Sequence, residues 1–101
     1  MKPSKPFGET TAAALADDET ALAYLEECLA DANPELFTLA LRQVADARLG
    51  GMTELSRAAD LNREALYRSL SEDGNPRFYT LNKVLAAVGF RLSVAAIHSR
   101  A

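Results

Sequence analysis

The sequence holds a single cysteine, Cys28, so no internal disulfide can form and no cysteine cluster is available to bind a structural metal. Five glycines and four prolines are too few for a fibrous or low-complexity chain. Hydrophobic residues at 49% and charged residues at 25% fit a globular chain rather than a disordered one. No uninterrupted apolar stretch exceeds the length of Val84–Val88, far short of the roughly 18 residues a membrane helix needs. No basic-then-apolar leader opens the chain. Together with the lone cysteine, these absences lead to the expectation of a cytoplasmic protein with no membrane partner.

Groups for catalysis are equally scarce. The only histidine, His98, lies near the chain end without a carboxylate or thiol cluster, so it is read as an exposed tail residue. Ser56, Ser69 and Ser71 have no His or Lys placed beside them as a general base, and the glycines are too scattered to cradle a phosphate. The expectation is no enzyme, no cofactor and no metal. Cys28 falls on the apolar side of a helical pattern and is read as a small core residue.

Positive charge is missing from one half of the chain. Residues 1–40 hold two lysines against eight acids, whereas residues 41–101 hold nine Lys and Arg against six acids, and the whole chain carries −3. The two halves therefore suit different partners.

The organisation follows from punctuation and periodicity. Residues 1–8, with two prolines and a glycine, read as a mobile tail before a single helical domain over 9–101. A short helix is expected from about Glu9 to Leu15. Asp17-Asp18-Glu19 then signals a helix start, and Leu22, Leu25 and Leu29, beside Ala21 and Cys28, give an amphipathic helix ending near Asp31. Asn33-Pro34 caps a further helix that runs to Leu49, where Gly50-Gly51 ends it. Two short helices, about Met52–Ala59 and Asn62–Leu70, follow. After the turn-prone stretch from Ser71 to Pro76, Thr80 opens a helix whose stripe of Leu81, Val84, Leu85 and Val88 is closed by Gly89. Phe78 and Tyr79 are read as a hydrophobic staple folded onto that helix. The alternation from Phe90 to Ile97 suggests one short strand.

Residues 52–71, MTELSRAADLNREALYRSLS, have the organisation of a helix-turn-helix. Leu55 is a core position, Ser56 and Ala59 are small where helices approach, Leu61 plugs the turn, and Asn62 caps a second helix that buries Leu66 and Leu70. A helix-turn-helix turn usually carries glycine where Asp60 stands and alanine where Ser56 stands. Asp tolerates the left-handed backbone better than most residues. The opposite face presents Arg63, Glu64, Tyr67 and Arg68, suited to reading base edges in a major groove. Thr53, Asn62, Asn75 and Arg77 are candidates for phosphate or positioning contacts.

The run from ALRQVADARL through REALYRSLS, EDGNP and KVLAAVGFRLSV resembles the probable addiction-module antidote family, whose DNA-binding unit is similar to the lambda-repressor type. The upstream YLEECLADANPELFTLAL extends the resemblance to about 80 residues. It implies an all-α, five- or six-helix lambda-repressor-like DNA-binding domain, here with the short C-terminal strand. It also implies an antitoxin dimer that binds operator DNA in its own promoter, and a small basic toxin, typically a messenger-RNA-cleaving ribonuclease, held inactive. A helix-turn-helix transcriptional regulator without a toxin partner is the competing function. The charge asymmetry places toxin contact on Asp17, Asp18, Glu19, Glu26, Glu27 and Glu35. Pairing of the C-terminal strands of two copies would satisfy their ladder groups and make the homodimer.

Overall fold

The computed structural model describes residues 12–31, 33–71 and 75–98. Among these residues the chain forms six helices and no strand: α1 (Ala12–Leu15), α2 (Asp18–Ala30), α3 (Pro34–Leu49), α4 (Met52–Ala59), α5 (Arg63–Ser69) and α6 (Phe78–Val88). The expected tail over 1–8 and the helix start at Glu9 lie outside the described residues.

Local chemistry sets most of the helix boundaries. Asp17 accepts the Thr20 amide at 2.9 Å to begin α2, Asn33 accepts the Glu35 amide at 3.0 Å to begin α3, and Asn62 accepts the Ala65 amide at 2.9 Å to begin α5. Each side chain satisfies an amide that has no intrahelical partner. Gly50 ends α3 in the left-handed region at φ 96°, and Gly89 ends α6 at φ 104°.

α3 is the central helix. It packs against α1, α2, α4 and α6, while α4 also packs against α5 and α6. Its buried residues Phe37, Ala40, Leu41, Val44 and Ala45 meet Leu55 of α4, Leu66 of α5, Leu70 just after α5, and Val84 of α6 in one hydrophobic cluster that reaches all six helices. Leu41, Leu55 and Leu70 are wholly buried, so truncating any one leaves a cavity and costs about 2–5 kcal/mol.

Three expectations are corrected. Phe90 to Ile97 is not a strand: residues 90–98 carry no ladder, and Val94 and Ile97 are 99% and 89% exposed. Alternation can specify an extended chain, but a strand needs a partner, and no second strand exists among the described residues. α6 begins at Phe78, two residues before Thr80, and Phe78 and Tyr79 are exposed rather than stapled inward. In α2 the buried positions are Ala21, Tyr24, Leu25 and Cys28, whereas Leu22 and Leu29 face outward at 43% and 55% exposure. Tyr24 lies on the buried side, and its hydroxyl donates to Gln43 Oε1 of α3.

Candidate nucleic-acid interface

The helix pair α4 and α5 is built around a three-residue corner. Leu55, Ser56 and Ala59 are the buried side of α4, and the Ser56 hydroxyl is directed back to the Thr53 carbonyl at 2.8 Å. Asp60 takes the left-handed conformation at φ 57°, ψ 52° where glycine would be the easier residue. The Leu61 amide then closes the end of α4 by donating to the Ser56 carbonyl at 2.9 Å, and half-buried Leu61 packs against the core. Lys83 of α6 reaches the Asp60 carbonyl at 3.4 Å and lies 5.1 Å from the Tyr79 ring centre, which ties the corner to the last helix.

With Leu66 and Leu70 buried, α5 presents Arg63, Glu64, Tyr67 and Arg68 to solvent. Arg63 donates to the Thr53 hydroxyl at 3.1 Å and its guanidinium sits 5.9 Å from the Tyr67 ring centre. Thr53, Arg63 and Tyr67 therefore form one cluster across both helices. The contact holds Arg63 along the exposed side of α5 rather than leaving it to sweep freely, at a strength typical of exposed cation–π pairs, about 0.5–1 kcal/mol. Asn62 is exposed, but its side chain is engaged as the α5 cap.

Asn75 and Arg77 are exposed but stand apart: no hydrogen bond or ion pair among the described residues joins them to the α5 face. Arg77 is the residue that precedes α6. Two basic residues near this surface escaped sequence reasoning. Arg57 pairs with Glu54 at 2.8 Å, a spacing of three that the sequence does display, whereas the contact of Lys83 with Asp60 spans 23 residues and left no local signal.

The acidic candidates Asp17, Asp18, Glu19, Glu26, Glu27 and Glu35 are all exposed. Two of them also serve the fold. Asp17 caps α2, and its bonds from the Thr20 amide and hydroxyl hold its carboxyl below the usual aspartate range. Asp18 pairs with Arg48 at 2.5 Å. Cys28 is buried, and desolvation pushes its thiol pKa up, as expected for an inert core residue. No group of His, Cys, Asp and Glu suited to a metal occurs among the described residues, and no helix there is long and apolar enough to cross a membrane.

The sequence model for probable addiction module antidote proteins matches residues 6–96, nearly the whole chain. The chain belongs to that family. An uncharacterized protein of Haemophilus influenzae is 40% identical over 80 residues, which cover 79% of this chain and 80% of that protein. No solved structure matches. Membership makes this chain an addiction-module antitoxin with a toxin as partner. The antidote thus carries two candidate surfaces, the α4–α5 face with its arginines and the acidic face of α2, on opposite halves of its sequence.

Proposed function

We propose that this antidote represses its own operon by binding operator DNA through a lambda-repressor-like helix-turn-helix, and neutralises a co-encoded, RNA-cleaving toxin. The observation that carries the DNA reading is the cluster of Thr53, Arg63 and Tyr67, which holds an arginine at the solvent face of a short helix whose other face is locked into the core. Arg63 and Arg68 supply bidentate donors for guanine, and Tyr67 offers a ring for a sugar or thymine methyl. Glu64 can accept from cytosine. Thr53, Asn62, Asn75 and Arg77 position the phosphates on either side.

In this reading it acts by binding rather than catalysis, and the hydroxyls of Ser56 and Ser71, which donate to the carbonyls of Thr53 and Arg68, serve the local fold. It works in the cytoplasm, where its operator and the toxin are reached together. Operator recognition uses a homodimer joined through the C-terminal segments, with two α5 helices about 34 Å apart on one side of the duplex. The acids Asp17, Asp18, Glu19, Glu26, Glu27 and Glu35 attract a basic toxin and speed its encounter.

Titration of a promoter fragment with Arg63→Ala tests the DNA reading. Operator affinity should fall by about 1–3 kcal/mol while random DNA is bound as before. Unchanged operator affinity in a folded variant would move recognition off α5.

A further inference from the structure

α2 leaves two large apolar side chains in solvent, Leu22 and Leu29, although the same helix buries Tyr24, Leu25 and Cys28. Seven residues apart, Leu22 and Leu29 lie on one side of the helix, about 10 Å from each other along its axis. They form one wall of a groove. Leu25, Phe37 and Leu85 make its floor, and the irregular segment carrying Phe90 and Leu92 makes the other wall. Solvent thus reaches an apolar channel that the six helices do not close.

Charge defines the rest. At 100° per residue, Glu19 and Glu26 fall immediately beside Leu22 and Leu29, and both are exposed. α2 contains four acids and no Lys or Arg, and none occurs between Lys5 and Arg42. Arg48, which approaches from α3, is directed to Asp18 at the start of the helix. Arg91, on the far wall, is the cation lining the groove. A line of leucines edged by carboxylates that have no ion partner among the described residues fits a partner surface that is apolar along its centre and basic along one edge.

Resting on the antidote reading, we infer that this groove is the toxin's docking site, and that it takes an amphipathic helix of the toxin. Apolar side chains seven residues apart on that helix would seat against Leu22 and Leu29, and its Lys and Arg would meet Glu19 and Glu26. The helix-in-groove mode matches the two-turn spacing of the leucines, because anchors at i and i+7 share that rise. Burying the leucines supplies affinity, and the acids supply rate and orientation. The groove's acidic wall comes from the N-terminal half and its far wall from the segment after α6, and no residue of α5 lines it, so DNA on the α5 face and toxin in the groove engage separate residues.

The test uses the full chain and, as probe, the co-encoded toxin of the proposed function, with affinity read by isothermal titration calorimetry. Leu22→Ser and Leu29→Ser change exposed positions, so circular dichroism should show the helical content kept. Each should weaken toxin binding about tenfold or more, the loss expected for a central apolar anchor, and leave operator affinity unchanged. Toxin affinity equal to wild type in the folded double variant overturns the groove while sparing the antidote reading. No binding by the wild-type chain overturns both. Sedimentation is the final arm: if the double variant turns a dimer into a monomer without weakening toxin binding, the face belongs to a second copy and the proposal falls.

Discussion

The Arg48 side chain donates from Nε to the Val88 carbonyl at 2.9 Å, joining the last turn of α3 to the last turn of α6. The same guanidinium reaches the carbonyls of Leu15 at 3.4 Å and Ala16 at 3.2 Å at the end of α1, pairs with Asp18, and lies 5.2 Å from the Phe90 ring centre. Helix-end carbonyls have no intrahelical donor, and one arginine serves two such ends at once. Arg48→Met should therefore destabilise the fold by about 2–3 kcal/mol in urea titration. Asp18 is 80% exposed, so Asp18→Asn should cost under about 1 kcal/mol. An equal loss from both would place the weight on the ion pair instead of the carbonyls.

Asp60 holds the left-handed corner between α4 and α5 at φ 57°. Asp60→Gly relieves the backbone, and Asp60→Ala keeps a Cβ while removing the polar side chain that tolerates this region. The glycine variant should be more stable than the alanine variant by about 1 kcal/mol, measured by thermal unfolding.

Acid should weaken the start of α2. The Thr20 amide, followed by its hydroxyl, lowers the Asp17 pKa in the folded chain. Folded pKa below unfolded pKa means that the contribution is complete above the unfolded value of about 3.9 and is lost as pH falls through the folded value. Urea midpoints measured from about pH 6 down to about pH 2.5 should fall less steeply below pH 4 in Asp17→Ala than in wild type. Parallel curves would show that Thr20 does not stabilise the carboxylate.

Arg77 precedes α6 and stands apart from the α5 cluster, so its contact on DNA should be to the backbone. Arg77→Ala should weaken operator and random DNA to a similar extent, and lower the slope of log affinity against log salt by about 1. A loss confined to the operator would make Arg77 a reader of bases.

Val94 and Ile97 are almost wholly exposed on the irregular segment after α6. If two segments pair in the homodimer, Val94→Asp with Ile97→Asp should shift sedimentation toward monomer without changing helical content. A dimer of unchanged strength would place the interface on another surface.

The helix ends were readable because they depend on neighbours in the chain. Asp17, Asn33 and Asn62 reach amides two or three residues away, and Gly50 and Gly89 need only their own backbone freedom. The buried stripe of α6 and the exposed face of α5 were readable for a similar reason, since helical periodicity assigns opposite sides without naming what lies across them. Family membership was legible in REALYRSLS, EDGNP and KVLAAVGFRLSV. The amphipathic pattern of α2 did not say which leucines would be covered: the side carrying Tyr24, Leu25 and Cys28 faces the core, where Tyr24 meets Gln43, and Leu22 and Leu29 face outward. Alternation from Phe90 to Ile97 could not make a strand without a second strand beside it. Nor could the sequence show Arg48 capping α1 and α6, because those carbonyls are 32 to 40 residues away along the chain. Capping and periodicity are short-range and written in the chain, while coverage, pairing and long-range capping depend on which elements meet, and only the tertiary structure decides that.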